Sequence, residues 1–406
     1  MRLPIFQLVL LCATLIALSF SVTPIEAQED KNRQRYEQLL EEWRSTYVEA
    51  WRVLQEFSFC EEDQADRLKQ EYIELKAKGD LLLDQTLLAA ADCVDASVTP
   101  DPELLEFLQP GTSKFFEERK YGDSVRVGKA ILKHRREDFE LLFDTVRSAF
   151  FDNQFAYAGE LMDQWIEIDG KLPPELQEIY RSQQNLVGAW AEEQKLRETE
   201  AEADSLPRIE FELENGKVVV ELFADQLPVV VNNLMWLVEQ TENPFFVDQA
   251  FFFVLKHQLA MTGSRTDNGN EVIFVAGATA EQQKVARPIF RGSFGLDVRK
   301  VSATQTVVST GCQFFPIPRP DMANSTLVVG RIVEGMELID NLQETHQIGD
   351  SGEAEPLEEA IPSRFVRVNV NRKPEGKVYE FIQPGQTNGP DPSPQQDPTA
   401  GPADGK

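Results

Sequence analysis

The chain has 406 residues, too many for one ordinary hydrophobic core, so two or three compact units are expected. Its 40 Lys and Arg stand against 68 Asp and Glu, a net charge of −28. That balance argues against a nucleic-acid binder, which needs a basic surface, and suits a soluble chain whose partners carry basic segments.

Residues 1–27 read as an export signal. Arg2 gives the positive start, Ile5 to Val22 the apolar run, and Ala27 the small residue before a cut at Gln28. The alternative is an uncleaved membrane anchor, because the run approaches the roughly 18 residues that make a span. Export implies a periplasmic or secreted protein, in which a disulfide is permitted. Beyond the signal lie Cys60, Cys93 and Cys312. A Cys60–Cys93 bridge would close a loop worth roughly 3–4 kcal/mol, and two small buried thiols are the alternative. Cys312 would then stay single, as a packed side chain rather than a nucleophile.

From residue 30 the chain reads as helix. Tyr36, Leu40, Trp43, Tyr47, Trp51 and Leu54 recur at three- and four-residue steps with charges between them. Leu68, Tyr72 and Leu75 predict a second helix, and Leu81 to Val94 a more apolar third. Thr99-Pro100-Asp101-Pro102 breaks the chain and caps the next start. Arg119-Lys120-Tyr121-Gly122-Asp123 then leads into a helix through Val125, Val127, Ala130, Ile131 and Leu132. A helix from Asp138 to Phe151 follows, and Asn153-Gln154-Phe155-Ala156-Tyr157 leads into another through Leu161, Trp165 and Ile166. Tyr121 and Phe155 stand 34 residues apart. A helix-turn-helix period of that length resembles the tetratricopeptide repeat, over about one and a half units. The resemblance implies a helical scaffold for a protein partner, with the aromatic stripes here as its core.

Lys171-Leu172-Pro173-Pro174 ends this block, and a long polar helix runs from about Glu175 to Ala203. Its last part, Ala191 to Asp204, is almost all charged or Ala and reads as a solvated arm. Ser205-Leu206-Pro207 marks the boundary between a helical domain over 30–204 and a second domain over 208–372.

At Arg208 the period changes to alternation. Arg208 to Leu213 and Lys217 to Phe223 flank Glu214-Asn215-Gly216 as a hairpin, and Pro228 opens a helix carrying Val230, Leu234, Leu237 and Val238. Apolar runs at Phe251 to Leu255 and Leu259 to Met261 come next. Strands are predicted at Val272 to Ala276, Gly292 to Leu296, Thr306 to Ser309, Gln313 to Ile317, Leu327 to Val333 and Val366 to Val370. The fold class expected is α plus β: a repeat-like helical domain, then about eight strands with two helices, which argue for a closed barrel with helices at its ends.

Four motifs now stand in order. Val218 to Phe223 with Pro228, Asn232 and Asn233 resembles the opening of the cyclophilins. Arg291-Gly292-Ser293-Phe294-Gly295-Leu296 resembles their R-G-S-[LI]-[SG]-M strand, and Gly311-Cys312-Gln313-Phe314-Phe315 their G-S-Q-F-F segment. Val328 to Asp340 resembles V-F-G-[KR]-V-[VI]-E-G-M-[DE]-V-[VI]-D. The resemblance spans about 208–372 and implies an eight-stranded antiparallel β-barrel with two capping helices and peptidyl-prolyl cis-trans isomerisation, with proline-containing polypeptides as substrates and no cofactor.

That reaction crosses a barrier of roughly 18–20 kcal/mol, because amide resonance resists twisting. The family lowers it with an Arg that draws the nitrogen lone pair out of resonance, in the motif F-H-R-V-[IV]-x-x-F-x-x-Q-G-G-D. Against it stands Phe251 to Ser264. Anchored on Phe251, Val254 and Gly263, the Arg position holds Phe253, the pocket Phe position Gln258, and the Gln position Met261. The family's Trp/Leu pair falls on Asp321-Met322 and its late His on Thr326, while Gln313 and Phe315 are retained and Leu259 stays apolar. The peptide groove is therefore expected at Gln258, Leu259, Met261, Gln313, Phe315, Met322 and Thr326. His257 and Arg265 are the nearby side chains that could substitute as donors under a shifted alignment.

The three histidines, His134, His257 and His346, lack metal-ligand spacing, and no phosphate-cradling Gly loop appears. From residue 373 the chain is expected to be a disordered tail, since Gln383 to Lys406 holds little beyond Gly, Pro, Gln, Asp and Ser. The sequence thus reads as an extracytoplasmic cyclophilin-type family member that acts on or binds X-Pro segments, its activity weak or lost. The alternative is a non-catalytic interaction scaffold that uses the helical repeats and the barrel groove.

Overall fold

The computed structural model describes residues 24–383, apart from 241–243, 267–268, 270, 278–285 and 301–305. Nearly all of the export signal, at 1–23, and the tail beyond 383 lie outside the described residues. No helix among those residues is long and apolar enough to cross a membrane. The chain divides into two compact units between Trp190 and Ala191.

The first unit is all helix: α1 (Pro24–Phe59), α2 (Glu62–Ala96), α3 (Pro102–Glu117), α4 (Tyr121–Leu132), α5 (Phe139–Phe151), α6 (Phe155–Asp169) and the first part of α7 (Pro174–Ala203). Asp101 and Asp138 cap α3 and α5 by accepting the backbone N–H of Glu103 and Leu141. One helix, α2, replaces the two expected over 62–96. Gly79 costs it about 1 kcal/mol relative to Ala, which does not outweigh continuous packing along α1. The same continuity removes the expected bridge. Cys60 and Cys93 lie at opposite ends of α2, roughly 45 Å apart by helical rise, and are not joined in a disulfide.

The 34-residue period is real in the backbone. Arg119 and Asn153, 34 apart, both adopt φ 62° after α3 and α5. The N–H of Lys120 donates to the Phe115 carbonyl at 2.9 Å, and that of Gln154 to the Ala149 carbonyl at 2.8 Å. Tyr121 then packs on Phe116 and Phe151, and Phe155 on Phe150. The same left-handed turn delivers an aromatic residue to the same place in each repeat.

The second unit begins with the last turns of α7. Its β-strands are β1 (Arg208–Leu213), β2 (Gly216–Leu222), β3 (Val247–Ala250), β4 (Phe253–Leu255), β5 (Leu259–Thr262), β6 (Phe274–Gly277), β7 (Ser293–Lys300), β8 (Thr306–Phe314), β9 (Thr326–Glu334), β10 (His346–Ile348), β11 (Ala354–Pro356) and β12 (Arg364–Arg372). Helix α8 (Pro228–Glu239) packs on β6 and β12, and α9 (Met336–Asp340) on β2. The strands form one sheet of order β11-β10-β4-β5-β8-β7-β9-β2-β1-β12-β3, with β6 on β8. This corrects the closed eight-stranded barrel: twelve strands are present, and among the described residues no ladder joins the two ends. The curl of the sheet has a simple cause. β3 and β4 are one stretch of chain interrupted at Phe251 and Phe252, and they pair in opposite directions, with β12 and with β5. Phe211, Phe251, Phe294, Phe314 and Phe365 fill the interior, with Phe211 and Phe314 edge-to-face at 5.1 Å.

The acidic run from Ala191 to Asp204 is largely exposed, as a solvated arm would be, but two of its acids are not. Glu193 is 4% exposed and faces Arg287, itself buried, at 3.3 Å. Glu200 pairs with Arg287 and with Arg331 (2.8 Å), and Arg331 pairs with Glu221 (2.6 Å). Glu221 also takes Arg208 and Arg372, and Arg372 reaches Asp204. The Arg287 guanidinium lies 3.6 Å over the Phe223 ring. Glu193 and Glu200 turn toward these cations on one side of the helix, while Glu192, Lys195, Glu198, Glu202 and Asp204 face water.

The start of the expected disordered tail is docked instead. Tyr379 is buried in the core. Asn233 on α8 accepts the Ile382 N–H at 2.8 Å and donates to the Ile382 carbonyl at 2.7 Å, as a neighbouring strand would. Phe381 packs on Trp236 at 5.1 Å.

Candidate functional site

Four strands build the site. Phe253 on β4 stands opposite Met261 on β5, Met261 opposite Gln313 on β8, and Gln313 opposite Gly295 on β7. Directly opposed residues share a face, so these four form one row. The next residues along, Val254, Ala260, Phe314 and Phe294, form the parallel row on the other face and belong to the interior. Alternation therefore sends Phe314 inward and Gln313 outward.

Phe315 leaves that ladder and joins a second apolar cluster with Leu259, Val328, Ile289, Phe223 and Leu206, against which Phe253, Met261 and Met322 pack. Five of the seven expected groove residues meet this way or lie on the row: Leu259, Met261, Gln313, Phe315 and Met322. Thr326 joins them by donating its hydroxyl to Gln313 Oε1 at 2.5 Å. Gln258 sits at the mouth, in the β4–β5 turn, where its N–H donates to the Leu255 carbonyl and His257 takes φ 53°. Phe315, Gln313 and Thr326 are buried, whereas Phe253, Gln258, Met261 and Met322 are half-buried.

Gly295 is what lets Thr326 and Phe315 pack this closely. A methyl group there would collide with Thr326 Cγ2 and press on Phe315 Cε2 at 3.3 Å. Gly295→Ala is expected to cost about 1–3 kcal/mol as overpacking. It should also break the Thr326–Gln313 bond, visible as a shift of the Gln313 side-chain amide resonances; unchanged resonances would count against this account.

Two site residues carry no sequence signal. His346 on β10 packs against Phe253, with ring centroids 4.3 Å apart and the rings tilted by 33°. The long-range pairing of β10 beside β4 brings it there: Thr345 donates its N–H to the Val254 carbonyl and accepts the Val254 N–H on its hydroxyl. Burial lowers the His346 pKa, so the ring is neutral at pH 7. A depressed histidine leaves stability intact above the ordinary value of about 6.5 and loses it as pH falls below that, because the unfolded chain takes the proton first. Wild type should therefore lose more denaturant resistance between pH 7.5 and 5.5 than His346→Gln does.

Arg319 is the second. It stands just before the short 3₁₀ turn Pro320–Met322. Its Nε and Nη2 fork onto the Asp321 carboxylate at 2.9 and 2.6 Å, and its Nη1 donates to Gln258 Oε1 at 3.1 Å. Arg319 holds the Asp321 carboxyl below its ordinary pKa. Gln258 and Asp321, which stand at two of the family's aromatic positions, thus share one guanidinium. Of the substitute donors, Arg265 lies 5.4 Å over the Phe245 ring and His257 occupies the turn. Cys312 is fully buried, which pushes its thiol pKa far up and denies it a nucleophile's role.

Residues 208–362 match the family model described as cyclophilin type peptidyl-prolyl cis-trans isomerase/CLD. No curated protein matches the sequence. Among solved structures, the chain is similar to a cyclophilin type peptidyl-prolyl cis-trans isomerase of Cryptosporidium parvum, at 14% identity and TM-score 0.32, covering 42% of this chain and 99% of that one. The same protein in the presence of the dipeptide Ala-Pro matches at 12% identity and TM-score 0.30, covering 41% and 99%. A cyclophilin from Hirschia baltica matches at 14% identity and TM-score 0.30, covering 40% and 73%.

Proposed function

From the premise that residues 208–362 are a cyclophilin-type domain, we propose that this domain binds X-Pro segments of extracytoplasmic polypeptides and isomerises them weakly or not at all. The observation that carries the reading is the outer row. It keeps Gln313, and the cluster beside it keeps Phe315 and Leu259, yet Phe253 and Met261 stand where the resemblance places the family's Arg and Gln. A phenyl ring packed on His346 cannot donate to an imide nitrogen. Binding that is equal for planar and twisted peptide gives affinity without rate. The helical unit, with its 34-residue turn repeat, is the second interaction surface on this reading, a tetratricopeptide-like scaffold for a protein partner. Export rests on the character of residues 1–27 alone.

The test is titration of the full chain with a heptapeptide centred on Ala-Pro, alongside a protease-coupled cis/trans assay on the same sequence. Binding with little turnover supports the reading. Turnover at the level of an Arg-bearing cyclophilin would overturn the loss of activity, and absence of binding would overturn the peptide site.

A further inference from the structure

The three residues at the mouth of the groove form a chain, Asp321 to Arg319 to Gln258, and its chemistry fixes an atom that the rest of the site leaves open. A guanidinium only donates. The Gln258 amide must therefore turn Oε1 toward Arg319 Nη1 and Nε2 away from it. Asp321 holds the other edge of Arg319 with two bonds, which favours the orientation that keeps Nη1 on Gln258 Oε1. Among the described residues, Gln258 Nε2 has no acceptor within the protein. Gln258 is half-buried and adjoins Leu259, whose side chain packs with Phe315 and Met322. Arg319 and Asp321 adjoin Met322 from the other side in sequence. The Gln258–Arg319 bond thus joins the two segments that flank the Leu259, Phe315 and Met322 patch.

We infer that Gln258 Nε2 is the donor that holds a bound peptide by a backbone carbonyl, with Arg319 and Asp321 as its positioning residues. The inference rests on the reading of this groove as a peptide site. The ligand class is an extended peptide that places an apolar side chain on the Leu259, Phe315 and Met322 patch and a carbonyl oxygen against the Gln258 amide. The charge of Arg319 polarises that amide through Oε1, which strengthens the N–H it offers. A carbonyl oxygen accepts in the planar and in the twisted peptide, so this bond contributes affinity rather than rate.

The experiment uses the full chain and the same Ala-Pro heptapeptide, with affinity read by calorimetry and the Gln258 side-chain amide followed by NMR. Gln258→Glu keeps the length and the pairing with Arg319 but removes the N–H, and should weaken binding about tenfold. Arg319→Met should weaken it as well, whereas Arg319→Lys, which still donates to Oε1, should retain most of it. In wild type the Gln258 Nε2 protons should shift downfield on peptide addition. Met322→Asp, at a half-buried position, serves as the groove control. If Met322→Asp abolishes binding but Gln258→Glu binds as wild type, the inference falls and the groove stands. If neither substitution alters binding, the peptide sits elsewhere and both readings fall together. Thermal melts of each variant show that the fold is retained.

Discussion

Phe253→Arg is expected to raise the rate of X-Pro isomerisation by about 10²-fold over wild type, the scale of one donor aimed at developing charge. The physical basis is the geometry of the row. Position 253 stands between Met261 and His346, with Met261 separating it from Gln313 in the same row, so a guanidinium there would rise from the wall that the resemblance assigns to the family's Arg. The neighbouring imidazole does not oppose it. His346 is held neutral by burial, so it adds no positive charge at pH 7.5. The gain should appear in kcat/KM with little change in peptide affinity, because the new donor acts on the twisted state. Phe253→Met, which preserves bulk without a donor, should leave the rate at the wild-type level. Equal rates for Phe253→Arg and Phe253→Met would show that the donor is not what the site lacks.

The second large effect concerns stability. Glu221→Gln should destabilise the second unit by about 3–5 kcal/mol, the cost of leaving a buried cation without its counter-ion. Glu221 is buried and its two oxygens serve Arg331 at 2.6 Å, Arg208 at 2.8 Å and Arg372 at 3.1 Å. The amide of glutamine can offer only one of those oxygens and turns an N–H toward a guanidinium. Amide exchange in β2 and β9 should rise, and the denaturant midpoint of the unit should fall. An exposed pair gives the contrast. Arg33 and Glu37 meet at 3.1 Å on α1 with most of each side chain in water, and Glu37→Gln should leave the midpoint within error of wild type. If the two substitutions had equal effects, the pairs that Glu221 makes with Arg331, Arg208 and Arg372 would contribute nothing to the stability of the unit.

Much of the site was legible because strands alternate. Gln313, Phe314 and Phe315 sit side by side, so neighbouring side chains must part company, and the structure sends Phe314 to the interior and Phe315 to the outer cluster. The reason for Gly295 in the motif at Arg291 to Leu296 was not local, since the hydrogen is needed against Thr326 on the neighbouring strand. The helix-turn-helix spacing was legible too, because Arg119 and Asn153 end their helices in the same left-handed turn.

What the sequence determined by itself, then, was what depends on neighbours in the chain: helix and strand periods, the 34-residue turn, the alternation that separates core from groove, and the presence of Phe at position 253. Everything that depends on a partner far along the chain came instead from packing. The acids of Ala191 to Asp204 look the same in sequence whether they face water or a buried guanidinium, and Arg287 and Arg331 lie some 90 to 130 residues away from Glu193 and Glu200. His346 and Arg319 enter the site through strand pairing and a loop, which no local pattern records. Cys60 and Cys93 are near in number but stand at the two ends of one rigid rod. Periodicity fixes which way a side chain faces, and packing alone fixes what it meets there.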